Sequence, residues 1–216
     1  MPTVLFLESR NEYMIYTFLA GTCNDLKREK QETLLTLVKE VLNHLQPVTR
    51  SGWGWTEATS NSWGAFLEQE FIEVKRTLNA YLPEKDHLLV ARLIEQIKHK
   101  PMRFQTYLLH GDCGVHNFIF QEGKLTGVID PIPLIGEPLY DLIYAFCSSP
   151  EELTEDVILK ASAELTVGSN LADIGLYEHI LLGLYMRMNA CIHHHPNDLK
   201  AYMQAWSYWV EKINKE

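Results

Sequence analysis

What this sequence lacks narrows it first. Its four cysteines, Cys23, Cys113, Cys147 and Cys191, form no C-x-x-C pair, so neither a zinc site nor a disulfide framework is indicated. Lysine and arginine number 19 against 28 acidic residues, a net charge of -9. The basic residues are scattered, and phosphate neutralisation needs them clustered, so no nucleic-acid partner is expected. No apolar run reaches membrane-spanning length, and no basic stretch leads into a signal-peptide core. No membrane partner and a reduced, cytoplasmic setting follow as expectations. Lysine is absent before Lys27, and Arg10 is the only earlier cationic side chain. What is present is an ordinary globular composition, 46% hydrophobic and 22% charged over 216 residues, enough to bury one substantial core.

The first apolar runs, Val4 to Leu7 and Tyr13 to Leu19, are separated by a polar stretch and predict a β-hairpin. From Asp25 to Leu45 the positions Leu34, Val38, Val41, Leu42 and Leu45 repeat at helical spacing, with Asn24-Asp25 as the start and Pro47 as the stop. Ser51 to Gly64 carries three glycines and three tryptophans among polar residues and reads as a long loop. Its aromatic side chains either pin it to the core or serve a function. Helical patterns follow over Ser62–Tyr81 and Lys85–His99. Short strands are predicted at Thr106–His110, Asn117–Gln121 and Leu125–Ile129, the last two joined at Glu122-Gly123-Lys124. Beyond Pro138 the spacing is helical over Leu139–Cys147, Pro150–Leu165, Asp173–His193 and Asn197–Ile213. The fold class is therefore α+β, a mostly helical domain with a small β insertion and an amino-terminal hairpin.

The chemistry concentrates in His110-Gly111-Asp112-Cys113-Gly114-Val115-His116-Asn117, followed across a hairpin by Gly127-Val128-Ile129-Asp130. Phosphoryl transfer needs one carboxylate to orient a hydroxyl and accept its proton. It also needs a carboxylate and an amide oxygen to hold magnesium against phosphates. A hairpin between Asn117 and Asp130 would bring that second pair together. Read without their neighbours, Asp112 and Asp130 could equally cap turns at strand ends.

The ordered set His-Gly-Asp-x-x-x-x-Asn, then Ile-Asp, then Gly136-Glu137-Pro138-Leu139-Tyr140-Asp141-Leu142 resembles the signature of the aminoglycoside phosphotransferase and choline kinase family, which has the protein-kinase-like fold. The resemblance implies an ATP- and Mg2+-dependent kinase acting on a hydroxyl of a small-molecule acceptor. It implies Asp112 as catalytic base, Asn117 and Asp130 as magnesium ligands, and His110 and Asp141 as structural, with Asp141 bracing the loop backbone. Glu137 stands where the family commonly has Asp. Met14 to Gly21 resembles the last amino-lobe strand running into the hinge, so Thr17 would offer a carbonyl and Leu19 an amide to adenine. Thr17 replaces a frequent Glu there.

On this alignment residues 1–20 are a remnant of the amino lobe and hinge, and 21–216 form the carboxy lobe. The phosphate-covering loop and its lysine have no counterpart before the hinge. The chain is then a fragment, a natural truncation or a remodelled member, and an inactive binding or dimerisation protein is the alternative function. A hairpin exposed in this way is expected to pair with a second copy in a homodimer. Among the late aromatic and sulfur-bearing residues, Tyr177, Tyr185, Met186, Trp206 and Trp209 either fill the core or wall the acceptor pocket. His193-His194-His195 read as a solvated helix end or a metal chelate. Cys113 reads as a small loop residue, with no feature marking it as a nucleophile.

Overall fold

A computed structural model describes residues 2–10, 12–23, 25, 27–49, 52–99, 105–168 and 175–215. Asn24, Ser51 and Asp173, which bounded three of the expected segments, lie outside the described residues.

Strands β1 (Val4–Leu7) and β2 (Met14–Tyr16) pair antiparallel, with Val4 opposite Tyr16 and Leu7 opposite Met14. The second strand ends at Tyr16, short of the expected Leu19. Every residue of both strands is exposed. The ribbon joins the rest through Thr22, which exchanges backbone hydrogen bonds with Phe120 at 3.0 and 2.9 Å.

Helix α1 (Lys30–Glu40) buries Leu34, Leu37 and Val38, and a following 3-10 turn buries Leu42. It starts later than its apolar spacing suggests because Asp25 is used otherwise. One oxygen of Asp25 accepts from the Lys27 amide (2.8 Å) and the other from the Gly123 amide (2.7 Å), which makes a turn rather than a helix start. At Val41 φ falls to -126° and the helix ends before Pro47 is reached.

Helix α2 (Trp63–Leu78) begins where the Ser62 hydroxyl accepts from the Ala65 amide at 3.1 Å, a capping bond worth about 1 kcal/mol. With α3 (Glu84–His99) it forms an antiparallel pair whose apolar stripes, Phe66, Leu67, Val74 and Leu78 against Leu89, Val90, Leu93 and Ile94, are buried. Helix α4 (Pro138–Cys147) is almost wholly buried, and Pro138 stands at its first position, where a missing N–H costs nothing. Helix α5 (Glu155–Ala163) is shorter than the apolar pattern from Pro150 suggests, because Leu153 is buried outside it and its carbonyl accepts from the Trp209 indole at 3.0 Å. Helices α6 (Leu176–His194) and α7 (Leu199–Ile213) close the domain, α6 packing on both α4 and α2. Tyr185, Trp206 and Trp209 lie in this core, whereas Tyr177 and Met186 are only partly buried. His193, His194 and His195 are exposed at the end of α6.

The β insertion is larger than expected. Strands β3 (Pro47–Val48), β4 (Gly54–Trp55), β5 (Thr106–Leu109) and β8 (Leu134–Gly136) form one antiparallel sheet in the order β3-β5-β8-β4. Strands β6 (Phe118–Gln121) and β7 (Lys124–Val128) form a separate ribbon. Glu122 and Gly123 both have positive φ, as the tightest right-twisted hairpin turns require. Trp53 and Trp55 anchor their loop on Trp63 and Phe66, with ring centroids 6.0 and 5.8 Å apart. No helix among the described residues is long and apolar enough to cross a membrane. The result is a kinase-like, mostly helical α+β domain in which β5 and the β6–β7 ribbon deliver one loop to the end of α4.

Candidate active site

That loop runs from His110 to Asn117, and its shape is set by two residues. Gly111 has φ +77°, and a Cβ there would lie 1.9 Å from the Ile132 carbonyl oxygen, so only glycine fits. Asp141, fully buried on the first turn of α4, accepts from the His110 amide at 2.7 Å and the Gly111 amide at 3.0 Å. Burial pushes its carboxyl up to about 6, against the pull of those two N–H groups. Asp141 thus braces the loop through its backbone, at the position the sequence assigned to it.

His110 ties the loop to the end of β7. Its Nε2 lies 2.8 Å from the Ile129 carbonyl, which can only accept, so the proton sits on Nε2. Burial lowers the His110 pKa and keeps the ring neutral, and its Nδ1 has no partner among the described residues.

Asp112 projects beyond this brace with its side chain 21% exposed. Its Oδ1 accepts from the Tyr144 hydroxyl at 2.5 Å, and its Oδ2 accepts from Asn117 Nδ2 at 2.8 Å and from His116 Nε2 at 3.1 Å. Burial alone would raise this carboxyl, but the three hydrogen bonds outweigh it and hold the group below its ordinary value. A carboxylate that stays ionised can orient a hydroxyl and receive a proton late in a reaction.

Asn117 is buried, and its Nδ2 also donates to the Asp112 carbonyl at 2.9 Å and lies 3.4 Å from the Asp130 carbonyl. The Ile129 amide donates to the Asn117 carbonyl at 2.9 Å. Asn117 and Asp130 are therefore neighbours across the ribbon. Asp130 is exposed and takes a left-handed φ of +55°, a turn away from β7 that aspartate tolerates better than most residues. Among the described residues no three His, Cys, Asp or Glu side chains converge on a metal site. Cys113 is fully buried, and burial raises its thiol pKa well above the ordinary value, which leaves it inert.

Thr17 and Leu19 lie on the stretch linking the hairpin to this ribbon. The Leu19 side chain crosses β7 so closely that a Cβ on Gly127 would come within 2.4 Å of it. The three residues Asp112, Asn117 and Asp130 come together as one group through the Asn117 amide, whereas Leu19 lies against Gly127 of the ribbon and Thr17 hydrogen-bonds with Thr3 in the amino-terminal segment.

One partner of Asp112 escaped the sequence reading as a site residue, Tyr144. Tyr144 follows Asp141 by three positions on α4, so the same face that holds the loop backbone also reaches the Asp112 side chain. That spacing was the available signal. Tyr144 also lines a cavity between α2, α4 and α6 of about 650 Å³ including its open mouth, together with Trp63, Tyr140, Leu182, Met186 and Arg187.

Comparison with known proteins supplies the family. The model of the phosphotransferase enzyme family known as APH matches residues 3–166. No curated protein matches the sequence. Among solved structures, a thermostable mutant of the aminoglycoside phosphotransferase APH(4)-Ia, in ternary complex with AMP-PNP and hygromycin B, is similar over 97% of this chain and 76% of its own, with 18% identity and a TM-score of 0.62. A choline/ethanolamine kinase family protein from Mesorhizobium loti is similar over 97% and 72%, at 14% identity and a TM-score of 0.57. The ADP-bound aminoglycoside phosphotransferase APH(2'')-Ib follows over 96% and 76%, at 16% identity and a TM-score of 0.53. At such identities these structures speak for the fold, while the family match spans most of the sequence and includes the loop and ribbon just described. On that match the chain belongs to the APH phosphotransferase enzyme family.

Proposed function

We propose that this chain transfers the γ-phosphoryl group of ATP to a hydroxyl of a small molecule. The observation that carries the reading is the environment of Asp112. A carboxylate offers about four acceptor sites; Asn117 and His116 occupy Oδ2, and Tyr144 occupies one site on Oδ1. The remaining site is on Oδ1, beside the bond from Tyr144, which itself lines the cavity. An acceptor hydroxyl placed there would hydrogen-bond to Oδ1 with its oxygen free to attack the γ-phosphorus. The bond from that phosphorus to the bridging oxygen breaks, its electron pair leaves with ADP, and the hydroxyl proton passes to Asp112.

Asn117 and Asp130 suit magnesium. Both carry hard oxygen donors and they are neighbours across the ribbon, and the Asn117 nitrogen is committed to Asp112, which leaves the amide oxygen as its ligating atom. Two protein oxygens are few, as befits an ion that also takes phosphate oxygens and water. When bound, the ion would neutralise charge on the β- and γ-phosphates. Thr17 and Leu19 would receive adenine, since neither the Thr17 carbonyl nor the Leu19 amide is engaged in a hydrogen bond among the described residues. In this reading residues 1–20 are the hinge and the end of an amino lobe, and 21–216 the carboxy lobe.

The test is calorimetric titration with ATP and magnesium of the chain and of Asp130→Asn. Binding that weakens by about tenfold or more in the variant, the scale of one lost charged ligand, supports the assignment. A folded chain that binds no ATP would overturn it.

One observation favours a second reading, an inactive dimerisation protein. Val4, Phe6, Tyr13, Met14, Ile15 and Tyr16 are each about half exposed and Phe18 is 88% exposed, an apolar surface of the kind that marks an interface. Pairing of two hairpins edge to edge would cover it. In sedimentation the dimer should dissociate on dilution and on Ile15→Lys substitution; a monomer at every concentration would remove it.

A further inference from the structure

The cavity beside Tyr144 has a chemical character of its own, and the chain's composition does not account for it. Acidic residues outnumber basic ones 28 to 19, yet among the described residues no carboxylate lines this cavity and its one fully charged wall residue is Arg187. Trp63, Tyr140, Leu182 and Met186 supply apolar and aromatic walls. Asp141 and then Glu70 are the carboxylates that act most on Tyr140, and neither lines the cavity: Asp141 accepts from the His110 and Gly111 amides, and Glu70 accepts from the Trp55 indole at 3.1 Å.

Arg187 is held rather than mobile. Its Nε donates to the Tyr202 hydroxyl at 3.0 Å, the guanidinium carbon lies 5.6 Å from that ring's centroid, and Tyr202 is fixed in turn by donating to the Cys147 carbonyl at 3.0 Å. No carboxylate pairs with it among the described residues. A fixed guanidinium with no carboxylate partner among the described residues, on the wall of a largely apolar chamber, is suited to an anion that arrives with the ligand.

We infer that this cavity selects an acceptor with an apolar, preferably aromatic, body and one anionic group, a hydroxylated carboxylate, in which Arg187 takes the anion and Tyr144 and Asp112 receive the hydroxyl. The inference rests on the phosphotransferase reading for what happens to that hydroxyl, but the binding preference stands on the cavity alone. A polyamine-like acceptor is disfavoured, because its ammonium groups would lose water beside Arg187 and, Asp112 being taken up with the hydroxyl, find no described carboxylate on the cavity wall in exchange.

The test uses the full chain, with para-(hydroxymethyl)benzoate as probe, benzyl alcohol as its uncharged counterpart and kanamycin as the polycation. Saturation-transfer NMR and calorimetry read binding without nucleotide. The carboxylate probe should bind at least about tenfold more tightly than benzyl alcohol, and Arg187→Gln should remove that advantage. If Arg187→Gln fails to fold, Met186→Glu serves instead. It places a carboxylate at a partly buried wall position and should repel the probe to the same extent. Tighter binding of kanamycin than of the probe, or binding of the probe indifferent to both variants, would overturn the inference and leave phosphoryl transfer standing. Arg187-dependent binding with no phosphate ever reaching the probe's hydroxyl in the presence of ATP and magnesium would do the reverse. It would keep the cavity assignment and count against the phosphotransferase reading.

Discussion

Asp112→Asn should lower phosphoryl transfer by about a hundred- to ten-thousand-fold, the range that a positioned proton acceptor supplies, while thermal stability stays within about 1 kcal/mol of the parent. The small structural cost follows from the partners. An asparagine there can keep its oxygen toward Asn117 and His116, which donate to Oδ2, and turn its NH2 toward Tyr144. A phenol oxygen accepts as readily as it donates, so Tyr144 loses no bond. What disappears is the negative charge on the oxygen beside Tyr144, and with it the proton acceptor. The pH profile of the parent carries the same information. Hydrogen bonds hold the Asp112 carboxyl below its ordinary value in spite of burial, so no loss of activity between pH 7 and 5 should trace to it. Initial rates with and without the substitution, together with thermal melts, check both statements. Retained turnover in the variant would remove Asp112 from the chemistry.

The parts of this site that could be read in the sequence are those fixed by local spacing. Asp112 and Asn117 share one loop, Asp130 ends the strand that returns beside it, and glycine at 111 answers a backbone demand that no other residue meets. The long helices were equally legible, because buried rows such as Leu89, Val90, Leu93, Ile94 and Ile97 repeat at helical spacing. What escaped depends on contacts distant along the chain. Strands β3, β4 and β8 have only two or three residues each, too few for an alternation to register, and they exist because β5 offers edges to pair with. Tyr144 meets Asp112 from 32 residues away, and Arg187 reaches the cavity only because α6 crosses both α2 and α4. The start of α1 was misplaced for the same reason, since Asp25 is recruited by the Gly123 amide far along the chain.

Asp141→Ala should destabilise the fold by on the order of 3 kcal/mol near pH 4, since two buried N–H groups lose their acceptors at once. It should also lower turnover in the molecules that remain folded. The stability effect carries a pH signature. The carboxyl is pushed up to about 6 by burial, from a reference value of 3.8, so the folded state binds this proton more tightly than the unfolded chain does. Its contribution is then complete below pH 3.8 and declines as pH rises through about 6, by about 3 kcal/mol for a shift of roughly two units. The gap between parent and variant should accordingly be widest near pH 4 and narrower at pH 7, which chemical denaturation at both values measures; a gap that widens toward neutrality would mean that the two amides, and not burial, dominate this carboxyl. The activity effect arises because Asp141 touches only backbone at His110 and Gly111, one residue before the base, where a displacement of about 1 Å can cost about a hundredfold. A residue that acts only by placing Asp112 has nothing left to lose once that base is gone. The double variant Asp112→Asn with Asp141→Ala should therefore be no less active than Asp112→Asn alone, whereas a further hundredfold drop would assign Asp141 a role independent of the base.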